Sequence, residues 1–394
     1  MLRNAAHKWT VWVLLLFLIS LCGISEAATF VVSLDQDNKN IQETINSAND
    51  GDRIIVKSGT YNENLDVSKV ITLIGLDTGK GKPILNAGGR ASCIVVSADH
   101  VVIEGFNVTN SGRLWKDAGI KVTSKHCVVR SNDVSNNEYG IVLDGFENCR
   151  VIGNKICSND VGIALYSSEN STIENNFACN NTFGGILLSK SKNNSIKNNN
   201  ASLNRWAGII LGESNDNSVL NNVARFNENE GIWLLRSNCN TIRGNRPRDN
   251  YIFGIRLHYS NRNLITNNRA RYNLDGVSLE NSNDNFLAGN NASNNIYGIY
   301  VDKSFNNMIY MNNFANNVEN VHSWNSTNFW NSTERLGYKY NNVPYTKPVG
   351  NFWSDYSGPD PFGDGLGDDP KPISPTERDE HPLRFSSEKY VLNT

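Results

Sequence analysis

A four-residue phrase returns nine times along this chain, from Gly119-Ile-Lys-Val to Gly298-Ile-Tyr-Val, at intervals of 21 to 23 residues. A period of that length, kept over so many copies, signals a solenoid built from one stacked unit. With each Gly counted as zero, positions +1 and +3 are almost always Ile, Leu or Val, an alternation that belongs to strands. Further apolar positions fall at +11 (Val151, Ile173, Ile196, Val219, Ile242) and, mostly small, at +16 (Ile156, Ala178, Ala201, Ala224, Pro247). Three short strands per repeat, each sending one or two side chains inward, describe one coil of a three-sided parallel β-helix. A helical repeat would need an amphipathic run of about ten residues or more, which the frequent Asn and Gly forbid. The expected fold is an all-β, right-handed single-stranded parallel β-helix of about a dozen coils, capped at both ends.

The same register explains an odd composition: 63 of the 394 residues are Asn. Position +14 is Asn154, Asn176, Asn199, Asn222, Asn245, Asn268, Asn290 and Asn312, and position +19 is Asn in the same eight copies. Stacked coils lie about 4.8 Å apart, so an amide can hydrogen-bond to its equivalents above and below. Asn also tolerates the left-handed backbone that tight corners require. Both columns are therefore expected to be corner ladders, not ligand contacts.

Outside the repeats, residues 1–27 read as a secretory signal, with a basic start, the apolar run Val11 to Leu21 and small residues before a cut after Ala27. Residues 28–118 read as an N-terminal cap with the first coils, 119–320 as the repeats and 321–394 as a C-terminal cap. Ile41, Ile45 and Ala48 suit one face of a short helix in the N-terminal cap. No apolar run after the signal reaches membrane length. A formal net charge of −2 gives no basic excess for general nucleic-acid binding, and eight Trp, fourteen Tyr and fifteen Phe argue against disorder. Six cysteines follow the cut and none forms a C-x-x-C pair, so disulfides are allowed in an exported chain. Cys157 and Cys179 share position +17 on neighbouring coils, which suggests that they pair.

The segment IQETINSANDGDRIIVKSGTYNENLDVSKVITLIG, together with the repeats, resembles the entry of pectin-lyase-like right-handed β-helices. Near the C-terminus, Gly350-Asn-Phe-Trp-Ser-Asp-Tyr, Gly363-Asp-Gly-Leu-Gly-Asp and His381-Pro-Leu are similar to the closing motif of NosD-like proteins. The chain thus resembles the NosD-type, carbohydrate-binding and sugar-hydrolase (CASH) family of exported proteins. That family includes a periplasmic protein that helps mature the copper centre of nitrous oxide reductase, and many archaeal surface proteins. Copper prefers imidazole or soft ligands. His100, His126, His258, His322, His381, Met308 and Met311 fall on scattered coils, so the ligand content argues against a copper site.

Four other features could carry chemistry. Asp117, Glu138 and Asp160, two residues before the Gly of three successive coils, would stack closely enough to raise one another's pKa or share a cation. Phe183 and Trp206 continue that column as an expected sugar subsite. The pectinase Gly-His-Gly and epimerase Asp-Pro-His-Asp motifs are absent. Between Arg205 and Arg271 there are ten Arg, no Lys and five acidic residues. Arg225, Arg248 and Arg271 share position +17, with Arg246 and Arg269 nearby, and stacked guanidiniums suit an acidic polysaccharide. The loop Asp360, Asp364, Asp368 resembles a calcium loop, although Phe362 and Lys371 stand at two ligand positions. The outward +2 column, apolar from Val142 to Trp233, predicts a cover, with the tail residues Trp324, Phe329, Trp330 and Trp353 as its source. Eight N-x-Ser/Thr sequons would suit surface glycosylation.

The functional expectation is an exported cell-surface or periplasmic binding protein engaging carbohydrate or another envelope component. The alternatives are a lyase, hydrolase or epimerase acting on an acidic glycan, and an accessory factor for copper-centre maturation.

Overall fold

Residues one repeat apart pair in register: Ile141 with Ile163, Leu143 with Leu165, Ile173 with Ile196. Continued along the chain, this pairing stacks about thirteen coils of a right-handed parallel β-helix with three faces. The computed structural model describes residues 27–35 and 40–392. Apart from Ala27, the expected signal segment lies outside the described residues.

Face 1 holds fourteen parallel strands, from Thr29–Val32 to Thr327–Phe329. Face 2 holds thirteen, from Thr60–Tyr61 to Phe352–Trp353, and face 3 holds twelve, from Leu65–Val67 to Glu319–Trp324. Most strands on faces 1 and 2 have three residues, whereas those of face 3 from Tyr139–Asp144 onward have six, such as Glu230–Leu235. The +1, +3, +11 and +16 columns fill the interior; Ile163, Leu165, Ile173 and Ala178 are fully buried. The short helix α1, Ile41–Ser47, covers the first coils with Ile41 and Ile45, and Asn40 caps it by accepting the Glu43 N–H at 2.8 Å.

The asparagine ladders are present, and a typical inner rung donates at least three hydrogen bonds. Asn154 donates its backbone N–H and its side-chain amide to Asn176 Oδ1, both at 3.0 Å, and the same amide to the Val129 carbonyl at 2.9 Å. The +19 column repeats the pattern, as from Asn204 to Asn227. The left-handed backbone does not belong to these rungs. It belongs to the residue before each one: Asn175, Asn198 and Asn221 on one corner, and Leu203, Phe226 and Tyr272 on the next, all with φ between 55° and 63°. The rung must keep extended geometry to aim its amide inward, so the chain turns one residue earlier. The structure adds two further columns to those read from the sequence. A third ladder runs at +9 from Asn194 to Asn328, and serines at +6 run from Ser168 to Ser326.

A β-helix must also stop, because its last coil exposes unpaired strands. The tail ends the three asparagine ladders separately. Asn351 takes the next rung after Asn312, and the buried Asp379 then accepts the Asn351 N–H at 2.7 Å and the Trp353 indole N–H at 2.9 Å. Glu377 accepts from Asn328 and from Trp330, closing the third ladder. Asp355 accepts from Asn320 at 2.8 Å beside the last rung of the second. Trp353 stacks on Phe314 with ring centroids 4.7 Å apart, so aromatic rings seal the interior.

That placement corrects one expectation. Trp330 and Trp353 close the end of the solenoid and do not cover face 3, while Trp324 and Phe329 stay exposed. The early outward surface of face 3 is covered instead by the segment leading into Ala118. There Trp115 meets Tyr166 edge-on, and Lys116 sits over both rings and pairs with Asp144 at 2.6 Å.

Candidate functional site

The arginines of the middle coils converge on face 2. Strand pairing sets Arg225 beside Arg248 and Arg248 beside Arg271, while Arg246 and Arg269 project from the starts of their own strands. Strand alternation sends the intervening Ala224, Pro247 and Ala270 into the core and leaves the guanidiniums outside. With Asn200 and Val223 they line a groove of about 380 Å³. Among the described residues Arg248 has one carboxylate neighbour, Asp249 at 3.6 Å, and the other four have none within 4.0 Å. The buried Nε of Arg271 lacks any hydrogen-bond partner there. Five like charges at coil spacing repel unless anions screen them.

Beside this groove lies the corner with left-handed Phe226 and Tyr272. Together with Tyr251 they are half or more exposed and border a second hollow of about 790 Å³. Bulky residues in left-handed conformation are costly, and such strain gathers at sites of function.

The acidic column also forms, but its members divide. Asp117 Oδ2 accepts the Leu114 N–H at 3.0 Å and so holds the covering segment in place. Glu138 and Asp160 face a groove of about 370 Å³ under Arg113, whose guanidinium lies 3.8 Å from Glu138. Burial pushes both carboxyls upward; Asp160 adds to the rise at Glu138, and Arg113 opposes it at both. Phe183 and Trp206 continue the column as a stacked pair, centroids 5.9 Å apart.

Asp360, Asp364 and Asp368 do not converge. Asp360 accepts the Asp364 and Gly365 N–H groups at 3.1 and 3.0 Å, Asp364 pairs with Lys347, and Asp368 is exposed. Cys157 and Cys179 form a disulfide between adjacent coils, with Cα atoms 4.6 Å apart. A second polar groove, on face 3 around Arg256 and Asp275, has no counterpart among the sequence-based expectations. Its residues occupy positions −2, −1, +2 and +4; the +2 column reads as an apolar face needing a cover, and its later members Arg256 and Tyr300 depart from that pattern.

This geometry places the chain among known proteins. The sequence profile of the family described as periplasmic copper-binding protein (NosD) matches residues 45–222 and 203–358. The chain belongs to the NosD family. This NosD-family chain is also 34% identical over 134 residues to a cell surface glycoprotein of Methanothermus fervidus, a stretch covering 33% of this chain and 21% of that protein. The match therefore spans about a fifth of that relative's length. Among solved structures, the A-module of mannuronan C-5 epimerase AlgE4 from Azotobacter vinelandii superposes with a TM-score of 0.61 at 15% identity, covering 74% of this chain and 96% of that one. The Dettilon tailspike protein gives 0.59 at 16% identity, covering 72% and 63%. At such identities these two show the fold alone. Among the described residues no helix of this NosD-family chain is long and apolar enough to cross a membrane.

The family's description makes copper a question for these residues. Among those described, no three His, Cys, Asp or Glu side chains come together as a metal-binding group. His100 and His126 stack with centroids 4.8 Å apart and planes 8° apart, presenting ring faces to each other. Met311 is buried in the end cap. The described residues do not fit a copper centre.

Proposed function

We propose that this protein is an exported surface or periplasmic β-helix that binds an acidic polysaccharide along face 2. The observation that carries the reading is the guanidinium array: Arg225, Arg246, Arg248, Arg269 and Arg271 in one groove, with Asp249 as the one carboxylate within 4.0 Å among the described residues. Guanidinium groups grip carboxylate or sulfate in pairs of parallel hydrogen bonds, and coil-to-coil repetition suits a polymer whose charges also repeat. The exposed Phe226, Tyr251 and Tyr272 beside the groove offer faces on which sugar rings can pack. The surface setting rests on the family match and on the likeness to a cell surface glycoprotein. Binding of polyuronate and of an uncharged glycan to the full chain tests the reading. Arg225, Arg248 and Arg271 exchanged together for Gln should abolish polyuronate binding. Equal affinity for the uncharged glycan, or binding undiminished in the triple variant, would overturn it.

A second reading, an enzyme acting on an acidic glycan, is favoured by Glu138 and Asp160. Two carboxyls raised by burial in one groove can divide acid and base roles. Release of unsaturated product or reducing ends from polyuronate, lost in Glu138→Gln, would establish it.

A further inference from the structure

Polar atoms that are buried and unpaired gather in one place on this molecule. Five such side-chain atoms occur among the described residues, and four lie on the outer surface of face 3: Glu230 Oε2, Trp233 Nε1, Asp275 Oδ1 and Asp302 Oδ1. They lie on three of four consecutive coils of that face, at positions −1, +2 and +4 of the repeat. The fifth, Arg271 Nε, belongs to the arginine groove already described.

The strip is short of positive charge. Arg256 serves two carboxylates at once, donating to Glu230 Oε1 at 3.2 Å and to both oxygens of Glu280 at 2.9 and 3.0 Å. Its guanidinium lies 4.5 Å from the centroid of Phe253. Asp275 and the buried oxygen of Asp302 are left over. Asp302 has Lys303 3.8 Å from its other oxygen, and that lysine is 60% exposed. Asp275 is only 3% exposed, yet it lines a groove of about 340 Å³. The same groove is lined by Tyr297 and Tyr300, which meet edge to face at 5.8 Å. His322 stacks flat behind Tyr300 at 5.1 Å.

A buried carboxylate without a partner is expensive, and four carboxylates around one guanidinium leave room for a second cation. Among the described residues no three acidic, His or Cys side chains form a metal-binding group, and Arg256 already takes one oxygen of Glu230 and both of Glu280. Carboxylate oxygens beside aromatic faces are the surroundings in which an ammonium group is held. The groove is lined from three successive coils, so sugar rings can lie across it, and the aromatic rings supply packing surfaces. We propose that this groove binds an amino sugar, with its ammonium group on Asp275 and its ring against Tyr297 and Tyr300.

The charge surroundings of Asp275 agree with this assignment. Burial pushes its carboxyl up to about 7, Glu280 adds to the rise and Arg256 opposes it. The polar and charged groups around the groove are Glu230, Arg256 and His258 from earlier coils, Glu280 on its own strand, and Tyr297, Tyr300 and Asp302 from the next; burial holds His258 below the ordinary imidazole range, with Glu280 opposing. An ammonium ligand would draw the proton off Asp275 and supply the missing charge. The site is independent of the arginine groove: it lies on another face and carries the opposite charge. The two grooves can therefore fail separately.

The test is calorimetry on the full chain with a glucosamine tetramer and with its fully N-acetylated counterpart, at about pH 6, where the amines are charged. The amine form should bind at least about tenfold more tightly, and Asp275→Asn should remove that preference while leaving polyuronate binding intact. Tyr300→Ala should weaken both tetramers without altering their ratio. Equal binding of the two tetramers by the unaltered chain would make the groove a neutral-sugar site and overturn the ammonium assignment. Failure of both to bind, or a preference that survives Asp275→Asn, would overturn the site itself.

Discussion

Asn312 donates its side-chain amide to Asn351 Oδ1 at 2.9 Å, across a gap of 39 residues where every earlier rung of that ladder spans 22 or 23. At this bond the repeat hands over to the tail. The Gly350-Asn-Phe-Trp segment is thus a terminator: its Asn copies a rung, and Asp379 beyond it accepts what the next rung would have accepted. These bonds give the Gly350-Asn-Phe-Trp segment a structural role at the end of the ladder.

Removing a terminator should therefore cost as much as removing a rung. Asp379→Ala strands the Asn351 and His381 N–H groups and the Trp353 indole, and Asn222→Ala strands the Ile196 carbonyl and its two neighbouring rungs. Each should lower stability by about 3 kcal/mol, read from denaturant melts. An Asp379→Ala protein as stable as the parent would show that the tail is not a cap.

The left-handed aromatics at the corner beside the arginines should trade stability for binding. Phe226→Asn and Tyr272→Asn relieve backbone strain at φ 55° and 56° and should each stabilise the protein by about 1 kcal/mol. Both should weaken polyuronate binding in the same titrations. Gain in melting temperature without loss of affinity would remove this corner from the binding site.

Binding on face 2 should respond to salt and to donor geometry. Raising ionic strength screens exposed guanidinium–carboxylate contacts, so affinity should fall steadily from about 0.05 to 0.5 M salt. Arg248→Lys keeps the charge but loses the paired donors, and should weaken binding several-fold compared with the parent. A lysine variant of unchanged affinity would mean that the groove reads charge alone.

Asp275 should make the protein less stable as pH rises toward neutrality. Its carboxyl is raised to about 7 in the folded chain, so over the range from about 4 to 7 the folded state holds a proton that the unfolded state has lost. The stabilisation is full below the unfolded pKa and disappears as pH passes the folded one. Asp275→Asn should remove this contribution and raise stability at about pH 7.5 by roughly 1–3 kcal/mol, with little effect at pH 4. Parallel melting curves for parent and variant across that range would refute it.

Much of the fold is legible in the residues alone. The +1, +3, +11 and +16 columns name the core, and the +14 and +19 columns name two ladders, because stacking repeats the same environment in every coil. Arg225, Arg248 and Arg271 and the pair Glu138 and Asp160 fall side by side for the same reason. The +9 asparagines and +6 serines are equally periodic, and a count extended to every position of the repeat finds them. Glu377 and Asp379 leave no such trace, because a terminator occurs once and has no equivalent to align with. The left-handed turns lie one residue before the Asn columns that suggest them, since composition marks a column without saying which residue bends.

The sequence by itself determined the solenoid, its register and its polar corners, since a period of 22 or 23 residues fixes which side chains share a level. Only the tertiary structure decided how the ends close and which outward residues meet across coils. Asp275 stands at position −1, Arg256 and Tyr300 at +2 and Asp302 at +4, so no single column contains all four and none repeats its residue type from coil to coil. They become a site because the coils curve them into one groove, where burial strips away water and leaves Asp275 without a partner.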